Sequence, residues 1–189
     1  MINNLIDFYM KSHPVTLGVL FFLVIYFISA NWVFFYRYFN IISWYKKEEK
    51  SLESLLLGSN SVSENSYLSH FVNSSSVLNK GLFELSTLSA TKEATRGLSF
   101  LSVVSSTSPF VGLFGTVVSI LDTFAHLGKT TGGMGVISTG IADALIATAA
   151  GIFVAIFAYT YHQILKRKSY ETINLIKMQC EAILSSSER

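Results

Sequence analysis

The sequence predicts an all-α integral membrane protein with three transmembrane helices and helical extensions on one side of the bilayer. Three observations carry this. Only 14% of the 189 residues are charged, against roughly 25% in an average soluble domain. The charges are also segregated. Pro14 to Tyr36 and Gly97 to Leu121 carry none, and Asp143 is the only one between Thr130 and Leu165. Each stretch is longer than the about 20 residues a helix needs to cross a bilayer core. Finally, the basic residues are one-sided: 12 of the 14 Lys and Arg fall in two of the four segments outside these stretches.

Residues 1–13 come first, with Lys11 as their one basic residue. Span one follows at 14–36. Its apolar run exceeds the roughly 7–15 residues of a signal-peptide core. It lacks a basic leader and an A-x-A-type cleavage site, and it ends in Trp32, Tyr36, Arg37 and Tyr38, an interfacial edge. It reads as a retained span. Its bulk (Phe21, Phe22, Leu23, Ile25, Tyr26, Phe27, Ile28) suits a lipid-facing anchor.

Segment 37–97 holds Arg37, Lys46, Lys47, Lys50, Lys80, Lys92 and Arg96. A charged run from Lys46 to Glu53 precedes a Ser/Asn-rich patch, Ser59 to Ser76, which reads as a loop or helix break. Helical patterning resumes near Val77 through Leu82, Phe83, Leu88 and Ala94. No Pro or Gly pair intervenes before span two, so one long helix is expected to run into the membrane.

Span two covers 98–125. Gly112, Gly115, Thr116 and Ser119 are spaced i, i+3, i+4, i+7 and share one face. Pro109 removes a backbone donor and should loosen the helix as flexure or packing geometry. A turn at 126–135 with Lys129 leads to span three, 136–165. There Gly140, Ala144, Ala147, Thr148, Gly151 and Ala155 form a matching small-residue face. Such faces let helices approach closely where lipid competes equally for bulky apolar contacts.

Two threonines stand out on these faces. Measured from Ala125 and Val136 at 1.5 Å per residue, Thr116 lies about 13 Å deep and Thr148 about 18 Å deep. A lone hydroxyl in such a helix usually bonds its own i−4 carbonyl. Two at similar depth on facing small-residue surfaces suggest a polar ring able to bond a carboxyl or a water chain. Asp143 is an acid in an apolar stretch, and intramembrane acids mark ion paths or buried pairs. It sits near the outer end of its span, as Asp122 does, so it could also simply reach the interface. No acid lies deep in any span, so if protons cross here, the mid-membrane carrier must come from another chain.

The tail, 166–189, holds Lys166, Arg167, Lys168, Lys177 and Arg189. Because Lys and Arg concentrate on the cytoplasmic side, the N-terminus and the 126–135 turn should lie outside. Segment 37–97 and the tail should be cytoplasmic. Ile173, Ile176, Cys180 and Ile183 repeat at 3-4-3 spacing, a short seam for packing on other helices or the apolar face of a solvated helix.

Other chemistry finds little support. Cys180 is the sole cysteine, which excludes an intrachain disulfide or a thiolate metal site. His13, His70, His126 and His162 lack ligand spacing. No Ser/His pairing, His-Glu-x-x-His or pair of deep acids suggests an intramembrane enzyme. No basic cluster with interleaved aromatics suggests nucleic acid. Neither a metal nor a cofactor is expected.

Two motifs resemble a known family. Ser108-Pro109-Phe110-Val111-Gly112-Leu113-Phe114-Gly115-Thr116-Val117 and Gly140-Ile141-Ala142-Asp143-Ala144-Leu145-Ile146-Ala147-Thr148-Ala149-Ala150-Gly151 are similar to the second- and third-span motifs of the MotA/TolQ/ExbB proton channels. The Gly-Leu-Phe-Gly-Thr form and the Asn31-Trp32 to Arg37 edge look most like the TolQ branch, with the ExbB branch next. The resemblance implies an inner-membrane ring, a homopentamer around two helices of a TolR- or ExbD-like single-span partner. That partner carries the proton-binding aspartate. Protons would be the coupling ion. The output would pass through a TolA-like protein to envelope integrity and division, or through a TonB-like protein to uptake. The family's pore-facing threonines fall on Thr116 and Thr148. Its third-span acid is usually Glu, and Asp143 is one methylene shorter. A flagellar stator subunit would have four spans and a large charged cytoplasmic domain, unlike this chain. A passive membrane scaffold is the reading from another class.

Overall fold

The structure, a computed structural model, describes residues 14–57, 63–74, 80–127 and 134–187. The expected periplasmic N-terminus (1–13), most of the expected turn at 126–135 and parts of the Ser-rich patch lie outside them. The described residues are all helical apart from short turns: α1 Pro14–Leu56, α2 Tyr67–Ser74, α3 Lys80–Ala94, α4 Leu98–Leu127 and α5 Met134–Ser187. Three of these, α1, α4 and α5, are long and apolar enough to cross a membrane. The chain divides into two compact units. One is drawn from Met1–Trp32 and Phe100–Tyr161, the other from Val33–Ser99 and His162–Arg189.

In the first unit, α1 does not present bulk to lipid all round, as the sequence suggested. Phe21, Phe22, Ile25 and Ile28 are exposed, while Val19, Leu23 and Ala30 are buried. The exposed and the buried side chains just named are alike apolar, so hydropathy alone gives no inward stripe. The stripe is set by what α5 offers. The Phe27 ring packs against Phe153 and Phe157, with centroids 5.7 and 5.6 Å away. One turn further along, the Tyr161 hydroxyl donates to Asn31 Oδ1 at 2.9 Å. Asn31 in turn donates to the Phe27 carbonyl at 2.8 Å, so its amide is bonded from both ends.

The second unit packs the later parts of α1 and α5 with α2 and α3. Leu68, Phe83, Ala90, Ile176 and Cys180 form its core, with Trp44, Tyr67, Ile183 and Leu184 against them. The 3-4-3 seam therefore packs on other helices rather than lying solvated. Part of the Ser-rich patch is helical, contrary to expectation. Ser66 caps α2, its hydroxyl accepting the Leu68 N–H at 3.3 Å, the usual N-cap bond.

The long helix expected from Val77 into span two is broken. α3 ends at Ala94, and Gly97 adopts φ 86° before α4 begins. An added Cβ there would meet Val33 only at 3.4 Å, so conformation rather than space calls for glycine. The carbonyls freed at the end of α3 find side-chain donors. Arg37 bonds the Glu93 and Ala94 carbonyls, and Ser169 Oγ donates to Ala94 at 2.7 Å. One glycine with these partners does the work for which a Gly or Pro pair was sought.

Candidate functional site

The small-residue faces of α4 and α5 meet at Gly112 and Gly151. A Cβ on Gly112 would lie 2.7 Å from the Ala147 carbonyl oxygen and 3.1 Å from the Cα atoms of Gly151 and Thr148. A Cβ on Gly151 would lie 2.6 Å from the Ser108 carbonyl oxygen and 3.0 Å from Gly112 Cα. These neighbours are backbone and cannot swing away. Glycine is needed at both positions for the helices to touch, the close approach that small residues permit in membranes.

That approach places the two threonines side by side. Thr116 Oγ1 and Thr148 Oγ1 are hydrogen-bonded to each other. Thr116 Oγ1 also lies 3.3 Å from its own i−4 carbonyl, Gly112, and 3.2 Å from the Ala144 carbonyl across the interface. Thr148 Oγ1 reaches the Gly112 carbonyl at 3.3 Å. The ordinary i−4 bond is thus present at Thr116, but both hydroxyls also bond across the helix pair. Two hydroxyl protons serve four contacts, so either hydroxyl can turn to another acceptor without leaving a buried group unpaired. Thr116 is buried and Thr148 only half-buried, which leaves Thr148 the member open to an incoming group.

The other sequence-predicted residues are distributed around this pair. Ala144 is fully buried and offers its carbonyl to Thr116. A Cβ on Gly115 would meet Ala147 Cβ and Val19 Cγ1, both at 3.0 Å, so three helices converge there. Gly140 lies against the Thr123 side chain, away from the pair. Pro109 sits inside a continuous α4. Next to it, the Ser108 hydroxyl bonds the Val104 carbonyl at 2.6 Å. Asp143 is half-buried and forms no hydrogen bond or ion pair with any described residue. It is not joined to the threonines.

Sequence reasoning missed a buried polar cluster in the second unit. Glu48 is fully buried. Its carboxylate accepts from Trp44 Nε1 (3.0 Å), Ser66 Oγ (2.8 Å), the Tyr67 N–H (2.8 Å) and Gln179 Nε2 (2.9 Å). The Gln179 amide oxygen in turn accepts from Ser51 Oγ at 3.1 Å. Glu48 lies in the run Lys46-Lys47-Glu48-Glu49-Lys50, which reads as a solvated face. The only signal was Gln179, a polar residue beside Cys180 in the apolar seam.

Comparisons with known proteins converge on one family. The model of the MotA/TolQ/ExbB proton channel family matches residues 66–178, more than half of the chain. The ExbB-like 1 biopolymer transport protein of Helicobacter pylori (strain 26695) is 40% identical over 190 residues, spanning the whole of both chains. ExbB of Pseudomonas putida is 42% identical over 77 residues, 40% of this chain and 23% of that protein. TolQ of Pseudomonas aeruginosa is 52% identical over 60 residues, 31% of this chain and 26% of that protein.

Proposed function

The chain belongs to the MotA/TolQ/ExbB proton channel family, and from that premise we propose that it is the ring subunit of a proton-driven motor in the bacterial inner membrane. Its ring encloses two helices of a TolR- or ExbD-like partner, and it carries no catalytic chemistry of its own. The bonded Thr116–Thr148 pair supports this most directly. A half-buried hydroxyl with spare acceptor capacity suits a protonated aspartate arriving on a partner helix. The driving force is about 2.3 kcal/mol per charge for each 100 mV. Neutral hydroxyls can pass or hold a proton without placing a fixed charge in lipid. Asp143, bonded to no described residue near the outer end of α5, is the acid through which protons would reach this layer.

The work delivered is envelope integrity and division through a TolA-like protein, the reading that Gly112-Leu113-Phe114-Gly115-Thr116 supports. Energised uptake through a TonB-like protein is the second reading, favoured by the full-length likeness to a protein named ExbB-like.

Valine at Thr148 tests the motor against a passive scaffold. Interhelical hydrogen bonds in membranes average only about 0.6 kcal/mol, so Thr148→Val should leave the complex assembled. Its ion-driven work should be lost. An assembled variant with undiminished output would leave a scaffold. The native mass of the chain with its single-span partner should show five copies to two, and a monomer that binds no partner would remove the ring.

A further inference from the structure

Among the described residues, Thr16 Oγ1 is the buried side-chain polar atom that has no hydrogen-bond partner. The cause is local. Thr107, Ser108, Thr116, Thr123 and Thr160 each return their hydroxyl to an i−4 carbonyl. For Thr16 that carbonyl would belong to Ser12, which lies outside the described residues. Thr16 is 1% exposed, so no large group can reach it. A buried hydroxyl left unmet is costly, by enough that small polar cavities normally hold water.

The neighbours of Thr16 follow from the contact where three helices converge. Val19, Gly115 and Ala147 meet there. α1 and α5 run in the same direction, since Phe27 meets Phe157 and Asn31 meets Tyr161, while α4 runs against both. One turn toward the N-terminus of α1 from Val19 is Thr16, about 4.5 Å along the axis. One turn on from Gly115 is Ser119, and one turn back from Ala147 is Asp143, each about 6 Å along. Ser119 is buried at 6% exposure, and Asp143 is half-buried. At 3.6 residues per turn Asp143 is also in phase with Tyr161, 18 residues or five turns away, on the ridge that faces α1. Helix geometry thus puts an orphaned hydroxyl, a buried serine and a carboxyl bonded to no described residue in one layer where α1, α4 and α5 meet.

We propose that Thr16, Ser119 and Asp143 form a water-binding site. The Thr16 hydroxyl donates to the bound water, and the water donates to the Asp143 carboxylate. No direct bond joins Thr16 to Asp143, so the water is the bridge. Its place in function rests on the motor reading above: it is the outer station from which a proton reaches Asp143 and then the Thr116–Thr148 layer. α1 then becomes a contributor to the proton route rather than only an anchor.

The test uses the full chain in lipid nanodiscs, with thermal unfolding of Thr16→Val, Asp143→Ala and the double variant. Valine matches the shape of threonine. If the pocket were dry, removing an unmet hydroxyl would raise the melting temperature. A bridging water predicts a fall of about 2–4 °C for Thr16→Val, the shift that a single lost hydrogen bond gives at this chain length. It also predicts a combined shift in the double variant smaller than the sum, because both variants remove the same bridge. A rise in melting temperature, or additive shifts, overturns the site. This measurement needs neither partner nor gradient, so it is independent of the motor reading. In the assembled complex, Thr16→Ser should keep ion-driven output and Thr16→Val should cut it several-fold. Unchanged output from Thr16→Val, with Thr148→Val defective, overturns the route. Unchanged output from both removes the motor reading instead.

Discussion

Glu48 shows how much a single residue can conceal. It is a fully buried carboxylate held by four neutral donors, among them the N–H that opens α2. Removing the carboxylate strands those donors, and each unmet buried group costs about 1–3 kcal/mol. Glu48→Ala should therefore destabilise the second unit by about 3 kcal/mol or more. Glu48→Gln, which keeps two oxygen-bond sites' worth of shape but turns one acceptor into a donor, should lose less. Denaturant titration of the two variants checks the order, and equal losses would mean that acceptance by both carboxylate oxygens, rather than side-chain shape, carries the stability. Cys180 gives a second expectation at this scale. Burial pushes its thiol from 9.0 up to about 11, against a weaker opposing bond from Ser86. At pH 8 the neutral form dominates even more than in a free thiol. Alkylation of folded protein should be about 100-fold slower than of unfolded protein from ionisation alone, and burial slows it further. The apolar seam that holds Cys180 was legible, because its spacing repeats. Glu48 was not, because a glutamate between lysines looks the same whether it faces water or a serine eighteen residues away.

At the scale of elements, the three spanning helices followed from hydropathy, and the facing glycines followed from the small-residue pattern. The break at Gly97 did not, since a lone glycine inside helical patterning gives no sign of its φ. Two substitutions separate the roles that glycine plays here. Gly97→Ala forces a side chain into the left-handed region, at a cost of about 1–2 kcal/mol, with no clash closer than 3.4 Å. It should lower stability modestly and leave the α4–α5 pair intact. Gly112→Ala meets backbone at 2.7 Å. It must push α4 from α5 and so separate Thr116 from Thr148. Its expected signature is loss of function out of proportion to loss of stability, read from melting temperature and ion-driven output on the same preparation. A Gly112→Ala protein with full output would mean that the threonine contact is not needed.

For the whole molecule, the sequence carried three spans and a side for each loop, and the structure supplies the three helices without a membrane to orient them. Orientation therefore rests on charge. Lys11 and Lys129 stand against 12 basic residues in segment 37–97 and the tail. The bias acts near span ends, where Arg37, Arg96, Lys166, Arg167 and Lys168 all sit on the same side. Neutralising any one of them leaves four, so single substitutions should not invert the chain. On the proposed route the same arrangement would set which way a proton travels, because the Thr16, Ser119 and Asp143 layer is periplasmic only if the tail is cytoplasmic. A cysteine placed at Ser186, in a Cys180→Ser background, should resist a membrane-impermeant thiol reagent in intact spheroplasts and react once the inner membrane is opened. A cysteine at Ser12 should react in both. The reverse pattern would place Asp143 on the cytoplasmic side and turn the proposed entry station into an exit.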